Sequence, residues 1–286
     1  MTRMNDSTWR MTACLIASTA WLLAPTALAV TPIGIAAVSP DIAIELDGVI
    51  VEDEDVADDD LSGTTLIMSI GSIPSETALN GYHEDSSSGD QLLSFDTTVE
   101  LPGAVVVGPG DVARYDGVIY TIEFDALAEG IPRGVATDAI AGAANGDLIL
   151  SFDTTVDLGG LTVEDEDLVR FDGATFTLEF DGSAEGVAIS LDLDAAHRID
   201  SNSNLVISFD TSGSVGGVDF DDEDLLEFTP SSGAWEMAYD ASALHAEWPP
   251  ADLQAVFTTV PEPERIIALI SGALLLSAMK RYRESL

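Results

Sequence analysis

Leu93-Ser94-Phe95-Asp96-Thr97-Thr98 returns as Leu150-Ser151-Phe152-Asp153-Thr154-Thr155 and again as Ile207-Ser208-Phe209-Asp210-Thr211, with the copies starting 57 residues apart both times. A second, unrelated motif keeps the same beat. Val51-Glu52-Asp53-Glu54-Asp55, Val107-Gly108-Pro109-Gly110-Asp111, Val163-Glu164-Asp165-Glu166-Asp167 and Phe220-Asp221-Asp222-Glu223-Asp224 start 56, 56 and 57 residues apart. Two motifs sharing one period mean four copies of one structural unit.

Within a unit the apolar residues alternate with polar ones. The third copy shows this best, in Asp147 to Asp153, Asp167 to Phe171 and Ala174 to Asp181. Period-two alternation rich in Phe, Val, Leu and Thr is the signature of a half-buried strand. Asn145-Gly146 and Asp172-Gly173 fall between these runs as hairpin turns. A further strand is expected to open the unit, as in Ile189 to Ala195. Four antiparallel strands per unit predict an all-β fold of four repeats of about 57 residues, a four-bladed β-propeller. The excess over a usual blade is expected in the loop that carries the acidic motif. Ala251 to Phe257 echoes a unit's opening strand, so the ring is expected to close by a terminal strand completing a blade. An open β-solenoid and a two-sheet sandwich are the rival architectures.

Fifty-one Asp and Glu face only ten Lys and Arg, a formal charge of -41, and the central region keeps just Arg114, Arg133, Arg170 and Arg198. A nucleic acid needs a positive footprint to displace its counterions, so nucleic-acid binding is excluded as a function class. The acidity itself has two plain explanations, solubility outside the cell and adaptation to a salty medium. The 46% hydrophobic content, in short alternating runs, argues for a packed core rather than disorder. The only cysteine, Cys14, lies in the N-terminal segment, so no disulfide is expected after that segment is removed.

Both ends read as addresses. Arg3 and Arg10 precede an apolar run from Met11 to Ala24, followed by Pro25-Thr26-Ala27-Leu28-Ala29. That is the charge, length and small-x-small exit of a secretory signal peptide, with cleavage expected after Ala29; an uncleaved N-terminal anchor is the alternative. At the other end come Val260-Pro261-Glu262-Pro263, then the apolar run Ile266 to Met279, then Lys280, Arg281 and Arg283. Two prolines separated by one residue hold an extended, accessible peptide. The 14-residue run is short for a bilayer crossing at about 1.5 Å per residue, but snorkelling of Arg265 and Lys280 and local thinning can close the gap. The basic cluster favours a cytoplasmic tail.

This order of motif, apolar segment and basic cluster resembles the PEP-CTERM sorting signal of Gram-negative bacteria. The resemblance implies recognition by an exosortase, an integral-membrane transpeptidase-like enzyme, with removal of the tail near Pro261 to Pro263. It also implies association with exopolysaccharide, since such systems accompany its synthesis. Glu264-Arg265 departs from the small hydroxyl residues usual after the motif. The expected organisation is a signal peptide at 1–29, an acidic four-repeat ectodomain at 30–259 and a sorting and anchoring segment at 260–286, with the membrane helix at 266–279.

Candidate chemistry is sparse. His83, His197 and His245 are expected at unrelated places in their units, and no nucleophile is paired with a base. The repeated Ser94, Ser151 and Ser208 read as ordinary strand residues. Clustered carboxylates suit a hard cation, so Asp53, Asp55, Asp165, Asp167, Asp222 and Asp224 are candidate calcium ligands, although the second copy has lost its acids and edge protection of a sheet accounts for the same residues. No other cofactor is expected. The reading is an exported, non-catalytic surface or matrix protein. Its alternatives are a secreted polysaccharide-acting propeller enzyme using Asp153 or Asp210 as acid and base, and a calcium-dependent adhesin.

Overall fold

The computed structural model describes residues 33–75 and 77–259. The expected signal peptide with Ala27 and Ala29, the sorting motif Val260 to Pro263, the apolar run 266–279 and the basic residues Lys280, Arg281 and Arg283 lie outside them. Among the described residues, no helix is long and apolar enough to cross a membrane.

The chain begins with β1 (Ile35–Pro40), a small hairpin of β2 (Ile44–Leu46) and β3 (Val49–Val51), then β4 (Ala57–Asp59) and β5 (Thr65–Ile67). The next unit is complete: β6 (Leu79–Glu84), β7 (Gln91–Phe95), the hairpin β8 (Val99–Leu101) and β9 (Val105–Val107), then β10 (Val112–Tyr115) and β11 (Tyr120–Phe124). The third runs β12 (Thr137–Gly142), β13 (Leu148–Phe152), β14 (Val156–Asp157), β15 (Thr162–Val163), β16 (Leu168–Phe171) and β17 (Phe176–Phe180). The fourth runs β18 (Ala195–Arg198), β19 (Leu205–Ser208), β20 (Gly213–Val215), β21 (Val218–Phe220), β22 (Leu225–Thr229) and β23 (Ala234–Tyr239), followed by the short helix α1 (Ala241–Leu244) and β24 (Leu253–Thr259).

These strands form four antiparallel sheets of four strands, in the orders β24-β1-β4-β5, β6-β7-β10-β11, β12-β13-β16-β17 and β18-β19-β22-β23. The strands β24, β6, β12 and β18 pack against one another around the axis. The molecule is a four-bladed β-propeller. Its first blade lacks an inner strand of its own and takes β24, paired antiparallel with β1 from Ile35↔Thr259 to Val38↔Val256. The expected terminal closure is therefore present.

Two local expectations are corrected. The strand opening the fourth unit is Ala195–Arg198, not Ile189 to Ala195. Leu191 and Leu193 are buried as alternation requires, but Leu191 N–H bonds the carbonyl of Ala188 in a turn, and the ladder with β19 starts only at Ala195↔Ser208. The extra length of each unit is not in the acidic loop. It is the two-stranded hairpin just before it, one per blade, and the acidic motif is the compact turn that leads into the third strand.

The core lies between blades. One cluster joins Ile149, Leu168 and Phe180 of the third blade to Leu205 and Ile207 of the fourth. Equivalent wedges join the fourth to the first, the second to the third and the first to the second. The Phe of the repeated motif supplies three of them, since Phe95, Phe152 and Phe209 are all buried to within 1%. Each such side chain contributes about 1.5–3 kcal/mol by leaving water. In the fourth wedge Pro40 stands at the Phe position, and the fully buried Trp248 fills that cluster instead.

Candidate functional site

Two aspartates recur in every unit, and both are tied to backbone. The Asp of the Phe-Asp motif joins its strand to the start of the inner strand. Asp41, Asp96, Asp153 and Asp210 N–H groups donate to the carbonyls of Asp252, Ala78, Ala136 and Asp192. In return, the carboxylates of Asp41, Asp153 and Asp210 accept from the N–H groups of Asp252, Ala136 and Asp192 at 2.7, 2.8 and 3.0 Å.

The last acid of the acidic motif closes the turn. Oδ2 of Asp55, Asp111, Asp167 and Asp224 accepts from the N–H of Glu52, Gly108, Glu164 and Asp221. Oδ1 of Asp111, Asp167 and Asp224 also accepts from Ala126, Gly182 and Ala241 just past the outer strand. This is why Gly108-Pro109-Gly110-Asp111 can lose three acids of the motif and keep the fold: only the clamp Asp is needed. Asp55, Asp167 and Asp224, offered above as calcium ligands, thus have one or both carboxylate oxygens engaged by N–H donors. The third residue of the motif works through its carbonyl, since Asp53, Pro109 and Asp165 accept from Leu79, Thr137 and Leu193 at the entrance to the next inner strand.

Those entrances converge on one mouth of the central axis. Asn80, Asp138, Asp194 and Gln254 hold the same position at the heads of the four inner strands, Asp194 just before β18, as the pairings Gly81↔Ser94, Ala195↔Ser208 and Ser39↔Ala255 one residue later show. Asn80 Nδ2 donates to Asp138 Oδ1 at 3.2 Å. Burial, reinforced by Asp192 and Asp153, lifts Asp138 to about 8. Burial and the adjacent Asp252 lift Asp194 to about 10. Asp192 rises to about 7 and Asp252 to about 6, in both cases chiefly through burial. Asp165 and Asp222 of the acidic loops add to the field felt by Asp192 and Asp252.

The opposite mouth opens into a cavity of about 620 Å³. Its floor is aromatic. His83 and His197 stack at 6.2 Å, and Phe257 meets them edge-on at 5.6 and 4.7 Å. The expectation that the histidines are unrelated is wrong for these two. Positions 83 and 197 lie two periods of 57 apart, so they are the same residue of alternate blades, and a search at twice the period would have found them. Gly142 comes from the third blade's inner strand, and a Cβ there would collide with His83 Nε2. Burial holds both imidazoles neutral, with His83 pushed down to about 4 and His197 to about 3. The Nδ1 atoms of both are buried without a hydrogen-bond partner.

Charge also gathers here. Arg114 and Arg198 line the cavity, and Arg170 pairs with its lining residue Asp147 at 2.7 Å. Arg114 bonds Glu123 and Asp90 at 2.7 and 2.9 Å, while Glu179 bridges Arg170 and Arg198. One mouth is therefore lined by buried acids and the other carries three of the central region's four arginines.

The third histidine, His245, has a different task. Its Nε2 lies 2.8 Å from Asp59 Oδ2, which also accepts from Tyr239 OH at 3.0 Å, while Asp59 Oδ1 takes Leu61 N–H. Asp47 Oδ1 is 3.7 Å from His245 Nδ1. Asp47, Asp59 and His245 are the group of three among the described residues whose ligand atoms fall within 4.8 Å of one another. Asp59 is fully buried and its oxygens are already hydrogen-bonded, so the geometry is that of a joint between the first and last blades.

Fold and site together define a four-bladed propeller with chemically unlike mouths. No protein family's sequence pattern matches the chain, and no curated protein matches it. Solved structures do resemble it. A hemopexin fold protein, CP4 from cow pea, is 11% identical with a TM-score of 0.39, over 76% of this chain and 99% of that one. The extracellular domain of the putative one component system BT4673 from B. thetaiotaomicron is 11% identical with a TM-score of 0.32, over 71% of this chain. This chain spans 28% of that domain's length. The dihydro-heme d1 dehydrogenase NirN, in complex with DHE, is 15% identical with a TM-score of 0.29, over 74% of this chain and 36% of that one.

Proposed function

We propose that the protein is an exported, non-catalytic component of the cell surface or extracellular matrix, sorted through its C-terminal tail, which uses the His83–His197–Phe257 mouth to hold an extracellular ligand such as an exopolysaccharide chain. The observation that carries the non-catalytic reading is the engagement of the recurring carboxylates. Asp153 and Asp210, the residues an acid-base mechanism would need, each hold a backbone N–H at a blade seam, and they are equivalent residues of adjacent blades rather than a facing pair. Two neutral imidazoles, a phenyl ring and two ion-paired arginines around an open cavity form a surface for stacking and hydrogen bonding. Export rests on the two end segments and their resemblance to an exosortase substrate.

The test is made in the producing cell. A mass spectrum of the mature extracellular form is expected to begin at Val30 and to end near Pro261 to Pro263. An extracellular form that retains Ile266 to Met279 overturns the sorting reading. Co-sedimentation with exopolysaccharide from the same cells is expected to weaken at least tenfold on Phe257→Ala. Unchanged retention overturns the assignment of the mouth.

A further inference from the structure

The acidic mouth does work that the proposed function does not use, and its inference stands independently of that reading. The geometry points to a single calcium site on the propeller axis, held by Asp138 and Asp194 with Asn80 and Asp192 beside them.

Three observations carry it. First, Asn80, Asp138 and Asp194 come from three separate blades, with Asp192 two residues before Asp194, so the set is brought together by ring closure and not by a loop that could relax away. Second, oxygens there lack partners. Asp138 Oδ2, Asp194 Oδ2, Asp192 Oδ1 and Asn80 Oδ1 are all buried with no N–H or hydroxyl donor, although Asp138 and Asp194 are only 8% and 9% exposed, and Asp194 meets another carboxyl, that of Asp252, to which it can bond only by sharing a proton. The clamp aspartates nearby show what satisfied carboxylates look like in this fold, since each accepts backbone N–H groups. Leaving carboxylate oxygens buried and unpaired costs several kcal/mol unless a cation or a proton answers them. Third, the neighbours are all of one sign. Asp138 and Asp194 feel each other together with Asp192, Asp252 and Asp153, and the described arginines with ion pairs bond acids such as Asp90, Asp147 and Glu179 instead.

The donors select the ion. Carboxylate and amide oxygens without sulfur or imidazole favour a hard cation. Among the described residues no three acids at this mouth have ligand oxygens within 4.8 Å of one another, so an ion held by Asp138 and Asp194 completes its shell with water. Strands fixed by the ring cannot contract to the short, regular octahedron that magnesium demands, whereas calcium accepts six to eight oxygens at longer and uneven distances.

The experiment uses the full-length chain in mild detergent, stripped with chelator. Calcium chloride is titrated by calorimetry, and thermal melts are recorded in calcium, magnesium and sodium chlorides at one ionic strength. The expected result is one calcium per chain and a melting temperature raised in calcium above sodium and magnesium. Asp138→Asn with Asp194→Asn is expected to weaken calcium binding at least tenfold and to abolish the calcium-specific shift, while its melting temperature without calcium equals or exceeds that of the parent. Single Asp138→Asn gives an intermediate loss and serves if the double variant does not fold. Glu164→Gln with Asp221→Asn, in the acidic loops, is expected to leave binding unchanged. Equal melting temperatures in all three salts overturn the proposal, as does parental calcium affinity in the Asp138 variants. Loss of binding in the loop variant with retention in the mouth variants moves the site to the loops and overturns it as well.

Discussion

Replacing Asp167 with alanine separates two explanations of the acidic motif, because Asp167 and its neighbour Asp165 differ in what they hold and not in charge. Asp167 takes Glu164 N–H at 3.0 Å and Gly182 N–H at 2.9 Å, and is 5% exposed. Asp165 contributes its backbone carbonyl, to Leu193, which substitution leaves in place. A hydrogen bond to a charged acceptor is worth about 1.5–3 kcal/mol. Burial raises the pKa of Asp167, so its charge is held at a cost and the low end applies. Two bonds then give about 3 kcal/mol, or about 6–12 °C in melting temperature for a fold of this size. Asp165→Ala removes one member of a like-charged group and is expected within about 0.5 kcal/mol of the parent or slightly more stable. Thermal melts of the full-length protein, followed by near-ultraviolet circular dichroism with a second probe to check two-state behaviour, read both variants. Equal losses for the two, or no loss for Asp167→Ala, would refute the clamp and return the motif to surface decoration.

Stability in chelator is expected to rise as pH falls from about 10 towards 6, because the raised pKa values of Asp138, Asp192, Asp194 and Asp252 mean that the folded state binds more protons than the unfolded chain. Glu166 and Glu223, lifted to about 7 by burial, add to the same slope. Below about 6.5 the lowered values of His83 and His197 act the other way, since the unfolded state then takes up protons that the folded one refuses; they slow the gain, which the more numerous raised carboxyls still carry towards pH 4. Melts from pH 4 to 10 with a maximum at or above pH 8 would contradict this account. At the joint between the last and first blades, Asp59→Ala is expected to cost about 3–5 kcal/mol because it strands His245, Tyr239 and Leu61 N–H, whereas Tyr239→Phe removes one bond and costs about 1 kcal/mol. Urea titration of both variants tests the ranking, and a Tyr239→Phe loss as large as that of Asp59→Ala would show that the network does not centre on Asp59.

The repeat made the blades legible, because a motif that returns every 57 residues reports one unit however its strands are drawn. Closure was legible for the same reason, since Ala251 to Phe257 continues the pattern past the fourth unit, and the strand found there is Leu253–Thr259. What escaped was whatever the period does not encode. The hairpins such as Val156–Asp157 with Thr162–Val163 are two or three residues per strand, too short for alternation to declare itself. Ile189 to Asp194 alternates as a strand does but is spent on a turn and on the bonds between Asp192 and Asp210. His83 and His197 were hidden by reading one unit at a time, and the ring of Asn80, Asp138, Asp194 and Gln254 by its mixed chemistry. The acidic motif drew the eye by its charge, yet the residue the fold needs is the one acid that the second copy kept.

Closure by β24 also sets an order of events. Synthesis delivers β1 first and its inner partner last, and the tie between Asp41 and Asp252 spans 211 positions of chain. Until those final residues emerge, one edge of β1 is an unpaired ladder in a nascent, sticky sheet. Three blades can assemble as they appear, while the first must wait with its flank open. The pairing of β24 with β1 spans more chain than any other strand pairing among the described residues, so the ring can close only once residues 253–259 have been made, and this seam is the last joint to form.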